Sequence, residues 1–345
     1  MLWRRASRMP GVLPGKRDDR NINDTAVRLA LIHNPRSRKN RRDGSKFAQQ
    51  AQKLLGDGFL VPASHDEMTD MVADLARRNV RLIAINGGDG TVSDVMTAIM
   101  RVYPEDNLPE LAIFPSGNTN LIARDIGFSR RGIQALHHLR DHLDGLPRVR
   151  RRPLRVSWPD DEYAPRLGMF QGSSGYARAI AIAHSPHVLR YAPHNLAVAV
   201  TLVGAFGSLL WRRHRETWLQ GDRLTLEGDG AVLADGHSFL FLSTALQKLN
   251  LGIWPFWNAD PAKAGGLHFL NVSDHPGKLL QATWALLRGR APSWLRQSAD
   301  YTSGRAQSMV LTCDSDFVID GERFPSGRDH RIYLREGPQF GFVHD

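Results

Sequence analysis

Gly87, Gly88, Asp89, Gly90 and Thr91 stand together in RLIAINGGDGTVSDVMTAI (Arg81 to Ile99), between an apolar run and a helical pattern. Glycine is entropically costly, so this density marks backbone that side chains would obstruct. A strand, a glycine turn and a helix start present free N–H groups and the positive end of a helix dipole, and phosphate gains most from them. The Thr91 hydroxyl can donate to the same anion. A carboxylate at Asp89 makes chemical sense beside phosphate when a divalent cation or a substrate hydroxyl stands between them. The plainer alternative is an incidental helix cap on a tight turn. Far along the chain, Asp320 and Glu322 flank Gly321 in VIDGE. In a strand those two carboxylates point to one side, while DGER also reads as an ordinary hairpin turn.

The elements that must position these residues change character along the chain. VRLALI, RLIAI and ELAIF are continuous apolar strands, separated by helical patterns over SKFAQQAQKLL, MTDMVADLARR, VSDVMTAIMRV and NLIARDI. Strands buried on both faces and alternating with helices predict a doubly wound parallel sheet in an α/β domain. Ligands of such sheets sit outside the carboxyl ends of the strands. Asn34, Gly87 to Thr91 and Ser116 to Asn120 all fall there. Beyond Pro153 short alternating segments such as RLTLEG, SFLFLSTAL, SMVLTC and RIYLREG, divided by turn residues, predict an antiparallel β-sandwich with helical inserts near 195–213 and 277–289. The predicted organisation is a basic leader over 1–26, a nucleotide-binding α/β domain over 27–150, a β-sandwich substrate domain over 151–330, and a C-terminal strand over 331–345 that returns to the first domain.

Composition narrows the partners. The net charge of +10 favours an anionic one, with basic residues clustered in HNPRSRKNRR, RVRRRPLR and WRRHR. Zinc-finger spacing, aromatic RNA-binding strands and a basic zipper are missing, which disfavours nucleic acid. One cysteine, Cys313, excludes an intramolecular disulfide and reads as an inert core thiol. The histidines have no metal-ligand spacing. No run of about 18 apolar residues is present, the length that reads as a spanning helix. A P-loop is absent, and G-x-G-x-x-G fails at Ser93, so a dinucleotide dehydrogenase is disfavoured.

NGGDGTVSDV, followed by LAIFPSGNTNLIARDIG, resembles the catalytic domain of diacylglycerol kinases, a superfamily that includes the bacterial lipid kinases and sphingosine kinases. HNPRSRKN is similar to its N-terminal Asn-Pro motif and VIDGE to its C-terminal Asp-Gly-Glu, so the likeness runs over roughly residues 27–345. The glycine motif alone is shared with NAD kinases. The resemblance implies a lipid kinase with ATP in the cleft between the two domains. By position, Gly87, Gly88, Gly90 and Thr91 would cradle phosphates, with Asn34, Ser116, Gly117, Thr119 and Asn120 around the nucleotide. Asp89 and Glu322 would join a carboxylate–water–Mg²⁺ network, and Asp320 would be the base toward the lipid hydroxyl.

The sequence departs from the pattern at two places. Leu121 stands where many bacterial members carry an acid, and Gly265 and Gly266 replace an Asp-Gly pair tied in some members to a structural Mg²⁺. They leave a catalytically inactive nucleotide- or lipid-binding relative as the alternative, with an NAD kinase-like enzyme further behind. The lipid itself is unspecified: diacylglycerol, a sphingoid base, ceramide and a polyprenol all fit. Trp254, Phe256 and Trp257 in GIWPFW, and Trp211 and Trp218 beside arginines, predict peripheral contact with an anionic membrane surface, on the cytoplasmic side.

Overall fold

The computed structural model describes residues 29–183, 219, 221–249, 253–257 and 265–345. The first part runs β1 (Leu29–His33), α1 (Arg38–Asp43), α2 (Ser45–Leu55), β2 (Phe59–Leu60), α3 (His65–Arg77), β3 (Leu82–Gly87), α4 (Asp89–Val102), β4 (Glu110–Pro115), α5 (Leu121–Ile126), α6 (Gly132–His142) and β5 (Arg148–Arg151). Every residue of β1 and β3 is buried, as strands covered on both faces must be. Their alternation assigns the faces. Ile83 and Ile85 meet Val72 and Leu75 of α3 and Val92, Val95 and Ile99 of α4. Leu82 and Ala84 meet Phe47 and Ala51 of α2 and Leu136 and Leu139 of α6. The sheet is therefore wound on both sides, in the order β2-β1-β3-β4-β17-β5, where β17 is Phe340–Val343 from near the chain end.

The second part holds β6 (Leu154–Ser157), β7 (Arg166–Gly168), β8 (Phe170–Ser174), α7 (Gly175–Ala183), β9 (Asp222–Gly228), β10 (Ala231–Thr244), β11 (Leu267–Ser273), α8 (Leu279–Leu287), α9 (Ser293–Arg296), β12 (Tyr301–Ala306), β13 (Ser308–Cys313), β14 (Phe317–Ile319), β15 (Glu322–Phe324), β16 (Arg331–Glu336) and β17 (Phe340–Val343). Strand β10 organises it. Its first part pairs with β9; after a register shift between Ser238 and Leu240 its last residues pair with β8 and β11. A bulge bends a strand, so one eleven-stranded sheet curls over itself. Phe241, Phe269, Phe317 and Ile319 close against Leu226, Met309, Leu311 and Leu334 in the sandwich core.

The chain end divides differently from the sequence prediction. Residues Arg331–Glu336 stay in the antiparallel sheet, between β13 and β6. Only Phe340–Val343 returns, parallel to β4 and antiparallel to β5. The helical insert predicted near 195–213 lies outside the described residues; the one near 277–289 is α8. The GIWPFW aromatics are packed, not projected. Phe256 is buried, Trp254 and Trp257 lie against the core, and the Trp254 ring meets His268 at 5.0 Å. This removes them as membrane anchors; Trp211 and Trp218 lie outside the described residues. No helix among the described residues is long and apolar enough to cross a membrane.

One helix belongs to both parts. The N-terminus of α4 carries the glycine loop, and its flank takes Leu167 of β7, whose N–H donates to Thr97 Oγ1 at 3.0 Å.

Candidate active site

The carboxyl ends of three parallel strands are tied by a buried amide network. Asn40 Nδ2 donates to the Asn34 carbonyl at 2.8 Å and to the Asn86 carbonyl at 3.1 Å. The Ser116 hydroxyl donates to Asn86 Oδ1. His33, held near pKa 4 by burial, stays neutral beside Asn86. Burying unpaired amides is costly, so a satisfied network of this kind fixes its loops firmly. Asn34 then donates to Thr91 Oγ1 at 2.8 Å, leaving the Thr91 hydroxyl hydrogen free to point elsewhere.

The glycines are there for close approach between two protein loops. Gly88 is extended (φ −96°), not left-handed. A Cβ on Gly117 would sit 2.5 Å from the Gly88 Cα, and one on Gly87 would sit 2.6 Å from the Thr91 Cβ. A Cβ on Gly90 would press Glu322 Oε1 at 3.0 Å. The sequence reading explained this density by the approach of phosphate. In the structure the crowding comes first from the chain itself, and the two loops so joined expose backbone toward a common cavity of about 300 Å³.

Gly88, Asp89, Gly90, Thr91, Gly117 and Thr119 line that cavity, and so do Asp320 and Glu322. Asn34, Gly87, Ser116 and Asn120, predicted around the nucleotide, are not on its wall. They brace it: Asn120, in left-handed conformation at φ 49°, accepts from the Gly117 N–H through Oδ1 at 2.7 Å.

Asp89 is a helix cap, though not of its own helix. Its Oδ2 accepts from Thr119 Oγ1 at 2.8 Å and Leu121 N at 3.1 Å, and its Oδ1 from Ile122 N at 3.0 Å, so it caps α5. Burial raises its pKa, and these donors oppose the shift. The predicted metal pairing of Asp89 with Glu322 is only partly assembled: three donors occupy Asp89. Among the described residues the acid and histidine atoms that gather within 4.8 Å belong to His65, Asp94 and Glu322. Arg166 also reaches Asp94 Oδ1, at 3.4 Å. Asp94 is pushed up to about 6 by burial and by Glu322.

Asp320 occupies a turn, not a strand. It and Gly321 have φ of 46° and 91° between β14 and β15, as a two-residue hairpin of primed type requires. Because the strand premise fails, Glu322 is not held on Asp320's side by alternation. The turn nonetheless delivers Asp320 to the cavity. Its Oδ2 accepts from Met169 N at 2.8 Å and its Oδ1 from Phe170 N at 3.0 Å. Ser93 of α4 donates to Oδ2 across the boundary between the two parts. Gly168 leaves the room: a Cβ there would lie 2.7 Å from Asp320 Oδ2. Burial, helped by Asp89, raises the Asp320 pKa to about 7 against the pull of these donors.

Several wall residues carry no role in the sequence reading. Arg36, Arg38 and Arg41 bring positive charge to the same cavity, and Leu121, Phe170, Tyr176 and Ile180 give it an apolar side. The arginines were visible as part of a basic cluster, but their direction was not. Ser93 appears in the sequence only as the residue that breaks a dinucleotide motif.

A doubly wound parallel sheet joined to a curled antiparallel domain is a fold found among solved structures. A crystal structure from Bacillus anthracis str. Sterne aligns with a TM-score of 0.61 at 17% identity, covering 92% of this chain and 97% of that one. Another from that organism, of a diacylglycerol kinase, aligns at 0.56 and 16% over the same shares. At that identity the likeness carries the fold. In sequence, residues 28–145 match the diacylglycerol kinase catalytic domain, so the family resemblance stands over that stretch. Diacylglycerol kinase of Bacillus subtilis (strain 168) is 34% identical over 112 residues, 31% of this chain and 35% of that protein. A Shewanella frigidimarina (strain NCIMB 400) protein named "Probable lipid kinase YegS-like" is 34% identical over 80 residues, 23% of this chain and 24% of its own length. The matched segment thus spans about a third or less of these curated relatives.

Proposed function

We propose that this chain is an ATP-dependent lipid kinase that transfers the γ-phosphoryl group to a lipid hydroxyl. The observation that carries the reading is the position of Asp320: half-buried, with a pKa near 7, and on the wall of the cavity that the N-terminus of α4 also lines. Phosphoryl transfer needs alignment, charge neutralisation and an acceptor for the hydroxyl proton. The free N–H groups of α4, the Thr91 hydroxyl and the guanidinium groups of Arg36, Arg38 and Arg41 suit a polyphosphate. A carboxylate titrating near neutrality suits a general base. The apolar wall formed by Leu121, Phe170, Tyr176 and Ile180 suits an acyl or sphingoid acceptor.

Nucleotide phosphates travel with Mg²⁺, which neutralises charge on the β- and γ-oxygens. The donor set fits water-mediated holding: Glu322 is exposed on the cavity, and Asp89 Oδ1 has a single donor. The acceptor being a lipid, the enzyme would work at an anionic membrane surface.

The test is transfer of radiolabelled γ-phosphate from ATP to diacylglycerol, sphingosine, ceramide and polyprenol in detergent micelles. Lipid phosphorylation that Asp320→Asn abolishes supports the reading, and full turnover in that variant overturns the site. Leu121, apolar where many bacterial members carry an acid, favours the alternative of an inactive nucleotide-binding relative. ATP binding with no transfer to any lipid identifies that case, and NADP formation identifies an NAD kinase-like enzyme.

A further inference from the structure

Helix α8 leaves a hydrophobic stripe uncovered. Leu280, Trp284 and Leu287 are 57%, 59% and 46% exposed, while Ala282 and Leu286 anchor the helix in the core. At about 100° per residue, positions i, i+4 and i+7 fall within an arc of roughly 60°. The stripe is one face of the helix, not a scatter of accidental leucines.

The segment that carries it is basic. From Lys278 to Gln297 the chain carries Lys278, Arg288, Arg290 and Arg296 and no acidic residue. The Arg288 guanidinium lies 4.2 Å from the centre of the Trp284 ring, and Lys278 Nζ lies 5.3 Å from that of Trp294 on the neighbouring α9. All four cations are exposed. A helix with leucine and tryptophan on one face and lysine and arginine beside it is built for the headgroup region of a bilayer, where rings sit at the interface and cations meet anionic lipid.

We infer that α8, with the basic residues around it, docks this protein on an anionic lipid bilayer. Leu280, Trp284 and Leu287 enter the acyl boundary, and Lys278, Arg288, Arg290 and Arg296 contact the headgroups. A second copy of the chain fits the same face less well. A two-fold contact sets a surface against itself, and here it would bring the cations of this segment against one another, with no carboxylate between Lys278 and Gln297 to separate them. The inference rests on the membrane part of the proposed function and not on its chemistry.

The experiment uses the full chain without nucleotide. Co-sedimentation is measured with phosphatidylcholine vesicles and with vesicles containing phosphatidylglycerol, and tryptophan emission is recorded alongside. Binding to the anionic vesicles, a blue shift and weakening by salt are expected. Leu280→Glu with Leu287→Glu should lower partitioning about tenfold or more, and Arg288→Gln with Arg290→Gln should lower it for anionic vesicles only. Circular dichroism and the thermal midpoint report folding, which exposed positions should leave in place. The inference is overturned if the wild type ignores anionic vesicles, if the Leu280/Leu287 variant binds as the wild type does, or if the stripe proves to be a dimer contact in solution. Micellar kinase activity of the Leu280/Leu287 variant is read separately, so failure of the docking surface and failure of the kinase reading are distinguishable.

Discussion

Ser93 on α4 donates its hydroxyl hydrogen to Asp320 in the β14–β15 turn, joining residues 227 apart in the chain. The bond runs from the helix that bears the glycine loop to the hairpin that bears the candidate base. It ties the glycine-loop wall of the cavity directly to the wall formed by the hairpin. It also acts on acidity, because a donor to a carboxylate favours its ionised form.

Ser93→Ala should therefore raise the Asp320 pKa above its value near 7, since the serine bond pulls that pKa down. A base must be ionised to accept a proton, so the acid limb of the pH profile of kcat/KM should sit near neutrality in the wild type. It should move to higher pH in Ser93→Ala, with activity recovered in alkaline buffer. Asp320→Asn should lose turnover by about a hundredfold or more across the whole range. An unmoved limb in Ser93→Ala would remove Asp320 as the titrating group.

Stability should carry the same signature with a fixed sign. The folded Asp320 pKa, about 7, lies above its ordinary value of 3.8, so the native state binds the proton more tightly. Its stabilising contribution is complete below the unfolded pKa and is lost as pH rises from about 4 through about 7. Asp94, raised to about 6, has the same sign and is present in both proteins compared. Denaturant unfolding of the wild type and Asp320→Asn should show the wild type losing ground to the variant by a few kcal/mol between about pH 4 and pH 8. A difference that is flat with pH contradicts the burial argument.

What could be read in advance divides along physical lines. Parallel strands announce themselves because both faces are apolar, so β1, β3 and β4 and their carboxyl ends were legible, and with them the loops at Asn34, Gly87 and Ser116. Long-range relationships were not. The pairing of Ser93 with Asp320, the use of Asp89 as a cap for α5 and the inward direction of Arg36 and Arg38 depend on which loops meet, and no local pattern encodes that. The insertion of Phe340–Val343 between β4 and β5 was foreseeable only as a returning strand, because pairing partners are set by topology. The GIWPFW aromatics misled for a related reason: an aromatic loop looks alike whether it faces lipid or packs beneath a sheet.

The Gly88–Gly117 contact should tolerate no side chain. Gly117→Ala places a methyl group 2.5 Å from backbone that cannot rotate away, so it should destabilise the protein by about 1–3 kcal/mol and raise the KM for ATP. Gly145→Ala is the control: it has open space around it and no left-handed backbone, and its thermal midpoint should stay within the error of the wild type.

Asp89→Asn separates capping from cation chemistry. Asparagine keeps one carbonyl oxygen, but its amide hydrogens would face a helix N–H now served by Asp89 at about 3 Å. The thermal midpoint should drop by the equivalent of about 1–2 kcal/mol, the usual cost of a damaged cap. This loss should be the same with and without Mg²⁺, because the three donors to Asp89 come from Thr119, Leu121 and Ile122, not from an ion. A midpoint that falls only when Mg²⁺ is present would reassign the residue to the metal.

The arginines of the cavity should govern nucleotide affinity and not the chemical step. Arg36, Arg38 and Arg41 stand on the wall opposite no acidic group other than Asp89, Asp320 and Glu322, and three guanidinium groups facing a polyphosphate each replace part of its hydration by directed N–H donors. Arg38→Gln with Arg41→Gln should raise the KM for ATP by about tenfold or more while kcat changes less, and the KM should become less sensitive to added salt. The opposite split, a fall in kcat at unchanged KM, would mean that these side chains meet charge developing in the transition state instead of the bound triphosphate. Arg38 would then be the first to test alone, since its Nη1 is buried without a protein partner and has a donor to spare.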